Sequence, residues 1–175
     1  MRGKRSFGNR PRRQVDDEKA TDPQAARLAA FALLARRDFC IAELTQQLQQ
    51  RGYAVQSIQQ AVAGLTDERL LDDARYAENY VHAHAQRGQG PRRIRQDLLS
   101  AGVDEPLVES ALTADRDWAA LARDLRVRKF GPESPADWPE RARQMRFLQY
   151  RGFSNDHIHS ALGNSGADEP FDTDP

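Results

Sequence analysis

Apolar positions along the chain fall into a pattern that is written three times. Leu48, Leu98 and Leu148 each stand four residues before a glycine, and the glycines Gly52, Gly102 and Gly152 lie at intervals of 50. A larger apolar residue follows each one: Tyr53, Val103 and Phe153. Further on come Ile58, Val108 and Ile158, then Ala61, Ala111 and Ala161, then Val62, Leu112 and Leu162. A fixed period with matched apolar columns and no gaps is the signature of tandem helical modules.

The third copy, 141–162, explains the shape. Met145 and Leu148 share one side of a helix. Gly152 stands where a left-handed residue closes a helix, because it has no Cβ to clash. Ser154 is placed to cap a second helix, as Asp104 is in the second copy. Ile158, Ala161 and Leu162 recur at three and four, which gives that helix its buried stripe.

Reading outward from these turns predicts an all-α chain of three three-helix repeats in an elongated, curved array. Residues 1–21 read as a disordered basic arm. The first repeat covers 22–70 and opens at Asp22-Pro23, an N-cap followed by proline at N1. Its helices run to about Arg37, then Ile41 to Arg51 and Val55 to Leu65. The second covers 71–115, with Tyr76, Tyr80 and Val81 on the apolar side of its first helix and Pro91 opening its second. The third covers 116–163. It begins with Trp118 to Lys129, with a stripe of Leu121, Ala122 and Leu125, and a loop through Pro135 and Pro139 leads to a helix over 141–151. Residues 164–175 read as a disordered acidic tail.

Composition adds limits. The chain has 175 residues, 39% apolar and 30% charged, with formal net charge zero. That suits a helical array with much wet surface. The charge is unevenly placed. Residues 1–15 hold Arg2, Lys4, Arg5, Arg10, Arg12 and Arg13 and no acid, whereas 164–175 hold Asp168, Glu169, Asp172 and Asp174 and no base. Cys40 is the single cysteine, so no intrachain disulfide forms, and it reads as a small core residue. No apolar run approaches about 18 residues, and no signal core is present, so a cytoplasmic protein without a membrane span is expected.

Catalytic chemistry is sparse. His82 and His84, like His157 and His159, are two apart, which points them to different helix faces and disfavours a metal site. Gly88-Gln-Gly-Pro91 lacks the lysine and spacing of a P-loop. The better signal is a departure from the repeat. At about 100° per residue, Arg143, Arg146, Phe147 and Tyr150 gather opposite Met145 and Leu148. The matching positions are Arg93, Gln96, Asp97 and Ser100 in the second copy and Glu43, Gln46, Gln47 and Gln50 in the first. Two aromatics among arginines suit base stacking with phosphate contact, or a protein interface; the alternative is packing on a neighbouring module. A second cluster, Arg87, Arg92, Arg93 and Arg95, surrounds the Gly-Pro helix start. Arginine's planar fork suits phosphate or carboxylate; the alternative is an exposed turn paired to Asp97 or to nearby acids.

Leu70-Leu-Asp-Asp-Ala-Arg-Tyr-Ala77, Gly90-Pro-Arg-Arg-Ile94 and Arg141-Ala-Arg-Gln-Met-Arg-Phe-Leu-Gln-Tyr-Arg-Gly-Phe153 resemble the bacterial RecX regulatory proteins. The likeness covers about residues 25–163. It implies tandem three-helix modules with no cofactor and no reaction of their own. It also implies binding to the RecA recombinase filament on single-stranded DNA, with damping of its ATPase, strand-exchange and coprotease activities, and hence of DNA repair, recombination and the SOS response. Direct contact with single- or double-stranded DNA is a further implication, and a monomer is expected. The motifs do not fix the contact residues; Arg87, Arg92, Arg93, Arg95, Arg143, Arg146, Phe147 and Tyr150 come from the face argument. The competing reading is a stand-alone nucleic-acid-binding helical module without a dedicated partner. Balanced net charge speaks against it, since non-specific DNA binding rests on phosphate neutralisation.

Overall fold

Three turns of one design set the architecture. Gly52, Gly102 and Gly152 have φ of 95°, 90° and 92°, the left-handed region that a side chain resists. In each turn the glycine N–H bonds the carbonyl three residues back, at 2.9–3.0 Å, to Gln49, Leu99 and Gln149. The next N–H reaches further back, at 3.2–3.3 Å, to the carbonyls of Leu48, Leu98 and Leu148. That pair of bonds is a Schellman closure, which satisfies carbonyls the helix end leaves orphaned. The three leucines are buried, as are Ile58, Val108 and Ile158. The repeat seen in the sequence is therefore a repeat of one capped helix–turn–helix corner.

The structure is a computed structural model of the chain and describes residues 16–114 and 116–163. Within them ten helices and no strand are found. Two compact units divide the chain between Asp72 and Asp73.

The first unit contains α1 (Asp17–Ala20), α2 (Pro23–Leu34), α3 (Ile41–Gln49) and α4 (Val55–Asp67). Helix α2 packs chiefly on α4, and Ala26, Ala30, Leu33, Phe39, Cys40, Leu44, Leu48, Ile58 and Leu65 are buried. Asp22 accepts from the Gln24 amide at 2.8 Å with Pro23 beside it, as expected of that cap. Helix starts earlier than Asp22, however: the turn α1 lies within what was read as the basic arm, and the Ala20 carbonyl accepts from the Ala54 amide at 2.8 Å. The rest of the arm, 1–15, lies outside the described residues, as does 164–175. Helix α4 closes by the same Schellman pattern but with Arg69 at φ 57° in the glycine place.

The second unit contains α5 (Asp73–Gln86), α6 (Pro91–Ala101), α7 (Glu105–Thr113), α8 (Trp118–Phe130), α9 (Trp138–Tyr150) and α10 (Asn155–Leu162). On α5 the buried stripe is Ala77, Val81 and Ala85, with Tyr76 and Tyr80 half-buried at its side. Helix α9 begins three residues before the expected Arg141. Asp137 caps it by accepting from the Glu140 amide at 2.9 Å, and Pro139 sits in the first turn, where its missing N–H costs nothing. Ser154 and His157 close a capping box on α10. Asp104 occupies the corresponding place before α7 without a side-chain cap bond.

Two helix ends in this unit complete each other. The Gly90 amide donates to the Arg151 carbonyl at 2.7 Å, and the Arg92 amide donates to the Gly152 carbonyl at 3.0 Å. An orphan donor of α6 and orphan acceptors after α9 are thereby paired, with the positive end of one helix on the negative end of the other. The approach leaves no room for side chains. A Cβ on Gly90 would lie 2.4 Å from the Gly152 carbonyl carbon, and one on Gly152 would lie 2.5 Å from the Arg93 Cβ.

Gly131 provides a control, since its φ is 94° but a Cβ there meets nothing within 4 Å. Gly131→Ala is expected to cost only backbone strain, about 1–3 kcal/mol, since φ 94° with ψ 170° is a conformation essentially reserved for glycine. Gly152→Ala adds overpacking of about 1–3 kcal/mol. Urea unfolding of both variants checks this; equal losses would mean that the Gly152 contact relaxes freely.

Candidate interaction groove

The Gly90–Gly152 contact lays α6 beside the α9–α10 turn, and a groove of about 680 Å³ opens between them. Arg92, Arg93, Gln96, Asp97 and Ser100 line one side, and Gln149, Tyr150 and Asn155 line the other. Residues at i, i+3 and i+4 share a helix face, which is why 93, 96, 97 and 100 line up on α6. Tyr150 is the last residue of α9, and its ring is 77% exposed.

Electrostatics sort the eight expected contact residues. Arg92 and Arg93 are exposed and form no ion pair among the described residues. Arg95, next to them in sequence, points away and is paired with Glu105 and Glu109 of α7. That is the alternative of an arginine neutralised by nearby acids, realised through α7 and not through Asp97. Asp97 instead acts on Tyr80, whose ionisation is pushed above the ordinary tyrosine range first by burial and then by that carboxylate. Arg87 and Arg146 are exposed but do not line the groove.

The third-copy face divides. On α9 the buried residues are Gln144 and Leu148, one turn apart, with Met145 only half-buried. Relative to that axis, Arg143, Arg146 and Tyr150 point outward, whereas Phe147 lies on the flank. Phe147 is half-buried with its ring edge-on to Phe130 at 5.3 Å, and Arg151 lies over its other side. Phe147 is thus a packing residue. Arg143 pairs with Glu140 at 2.9 Å and covers the Phe130 ring. Glu140 is held below the usual carboxylate range, first by a hydrogen bond from Gln144 and then by Arg143. Arg92, Arg93 and Tyr150 line the groove together; Arg87, Arg95, Arg143, Arg146 and Phe147 do not line it.

Several residues were not anticipated. Gln96, Ser100, Gln149 and Asn155 furnish amides and a hydroxyl to the groove. Arg126 is 6% exposed and donates to the carbonyls of Pro132 and Glu133 at 3.1 and 2.8 Å, which pins the α8–α9 connection. Gln96 and Ser100 were read only as a solvated face, the groove itself depends on the contact between residues 90 and 152, and Arg126 is received by a loop six and seven residues on. The histidines have local partners: His84 stacks on Tyr80 at 3.8 Å, and His82 meets Gln86. No group of three or more metal-ligating side chains occurs among the described residues, and no described helix is long and apolar enough to cross a membrane.

Nine of the ten helices among the described residues, α2 to α10, fall into three-helix modules and define a helical-repeat protein, and the comparisons with known proteins sharpen this. A family model for the second three-helix domain of RecX matches residues 72–112, and one for the third matches 115–162. The chain is 41% identical over 153 residues to a Regulatory protein RecX of Halorhodospira halophila, covering 87% of this chain and 95% of that one. It is 43% identical over 146 residues to a Regulatory protein RecX of Pseudomonas fluorescens, covering 83% and 94%. The crystal structure of RecX from Lactobacillus salivarius has the same fold, with TM-score 0.71 at 23% identity over 81% of this chain and 94% of that one. The chain belongs to the RecX family of regulatory proteins.

Two outcomes test this sorting. Tyr150→Ser should change stability by no more than about 0.5 kcal/mol, as for an exposed site, whereas Phe147→Ser should cost about 1–3 kcal/mol. Thermal melts of the two variants decide; an equal, large fall would place both rings in the core. His157 supplies the second. Burial holds it below its ordinary 6.5, with Arg92 acting the same way against Asp156 and Asp117. The unfolded chain therefore takes the proton more readily, and stability falls as pH drops below about 6.5. His157→Asn should flatten the dependence of unfolding free energy on pH between about 7 and 5; an unchanged slope would remove His157 as its source.

Proposed function

We propose that this protein binds the RecA recombinase filament on single-stranded DNA and inhibits its ATPase, strand-exchange and coprotease activities. It would thereby restrain recombination, repair and the SOS response. The observation that carries the reading is family membership at more than 40% identity across nearly the full length of relatives named regulatory proteins. The protein acts in the cytoplasm, as a binder without a reaction of its own, and as a monomer. The groove of Arg92, Arg93 and Tyr150 is the contact surface we assign. Two unpaired guanidiniums beside an exposed ring suit an anionic, stackable or acidic ligand surface.

A stand-alone nucleic-acid-binding module is the second reading, and the same groove favours it, since arginine with an exposed aromatic suits a single strand. The two separate on one measurement. RecA's single-stranded-DNA-dependent ATPase is followed as the protein is titrated, with excess DNA present. Inhibition below one protein per RecA, unrelieved by further DNA, is the expected result. Inhibition that disappears with added DNA would mean simple competition for the strand. The double variant Arg92→Ala, Arg93→Ala should weaken inhibition by about tenfold or more, as for loss of charge-assisted contacts. Full inhibition by a folded double variant would move the contact elsewhere.

A further inference from the structure

Another hollow of the second unit lies where α6, α7 and the start of α8 meet. Its volume is about 360 Å³, near the lower end of the range for ligand pockets, about 300–1,000 Å³. Pro91, Leu112 and Trp118 give it an apolar lining, with His157 of α10 beside them. Leu112 and Trp118 are buried, and the indole N–H donates to the Leu112 carbonyl at 3.1 Å, which fixes the ring in place. Around this lining stand three guanidiniums, those of Arg92, Arg95 and Arg116.

Packing does not require that charge. Pro91, Arg95, Glu109 and Leu112 match Ile41, Thr45, Gln59 and Val62 at the interval of 50, and those four line a furrow between α3 and α4 of the first unit. That furrow is built on the same positions without a single charged residue. Arg92 and Arg116 stand where the first copy has Ala42 and Thr66. Of the three arginines, Arg95 is neutralised by Glu105 and Glu109. Arg92 and Arg116 form no ion pair among the described residues. The Nε of Arg116 is buried without an acceptor among those residues, and its guanidinium lies over the Trp118 ring at 5.6 Å. The fold thus holds two cations at the mouth of an apolar hollow and supplies neither with a carboxylate.

We propose that this hollow docks an acidic peptide segment of a partner protein. One bulky apolar side chain of the segment enters between Leu112 and Trp118, and carboxylates flanking it pair with Arg92 and Arg116. An apolar anchor in a desolvated pocket with charge-assisted bonds at its rim is the usual economy of a small docking site. A nucleobase fits less well, because stacking needs an open ring face, whereas Trp118 is 9% exposed and Arg116 lies over it. The site is separate from the groove of Tyr150, although Arg92 borders both, and it does not rest on the reading above.

The test titrates the full chain with a synthetic peptide in which one phenylalanine is flanked on both sides by aspartates. The sequence holds two tryptophans, so an NMR spectrum carries two indole N–H signals, told apart with Trp138→Phe. The Trp118 signal is expected to move saturably, while that of Trp138, which does not line the hollow, stays in place. Arg116→Gln should weaken the peptide about tenfold. Serine in place of the peptide's phenylalanine should weaken it about tenfold or more. Arg146→Gln removes an exposed arginine that does not line the hollow and should leave peptide affinity unchanged. A Trp118 signal that the peptide does not move would overturn the proposal. Equal affinity for the serine peptide would overturn it too, since charge alone would then hold the segment. Labelled oligo(dT) moving the Trp118 signal at lower concentration than the peptide would overturn it in favour of nucleic acid.

Discussion

The close approach of Gly90 and Gly152 is the constraint on which the second unit's surface depends. It puts two backbones in contact with no Cβ between them and joins the amino end of α6 to the carboxyl end of α9. Each helix end carries polar groups that its own helix cannot satisfy. Here the two sets are matched to each other, and the dipoles meet with opposite sign. A side chain at either glycine would break both the fit and the hydrogen bonds. The groove follows as a by-product, since α6 cannot lie beside the α9–α10 turn without leaving a furrow along their polar faces.

The same register determines which arginines are available. Arg92, Arg93 and Arg95 are near neighbours in sequence, yet α6 directs Arg95 towards Glu105 and Glu109 and leaves the other two over the groove. On α9, Arg143 is engaged by Glu140 and Phe130. Exposed pairs of this kind contribute little to stability. Their larger effect is to remove charge from the surface, so that the unpaired positions stand out. A count of basic residues would overstate the patch, and a net charge of zero would miss it.

Much of the fold was legible because its rules are local. Glycine spacing, the leucine four residues before each glycine and the apolar residue after it encode a Schellman corner within about six positions, and the structure forms one at each. The corner after α4 was less legible, because Arg69 adopts the left-handed conformation where no glycine announces it. The start of α9 was read late because Pro139 looked like a breaker, although a proline in the first turn is tolerated. The groove was only half legible. Arg92, Arg93 and Tyr150 could be picked out by residue type, but their meeting depends on a contact between residues 90 and 152. Phe147 was ambiguous because its flank position becomes half-buried only when Phe130, at the far end of α8, reaches it. Arg126 and Gln144 were missed because their partners, loop carbonyls six and seven residues on and a carboxylate one turn back, leave no mark in an apolar pattern.

Neutral overall charge and a local basic groove together limit what electrostatics alone can contribute to binding at this surface. Affinity for bare DNA grows with the number of phosphates neutralised, and each contact steepens its loss with salt. A groove with two free guanidiniums can neutralise few phosphates, so its electrostatic contribution alone is small at physiological ionic strength. Specific engagement must then draw on shape and on the uncharged groups around the arginines: the Tyr150 ring and the side chains of Gln96, Gln149, Ser100 and Asn155. Those groups reward a partner that presents a fixed surface and give little to a flexible polyanion. The balance of few charges and many short polar side chains therefore suits recognition of a fixed surface better than neutralisation of a flexible polyanion.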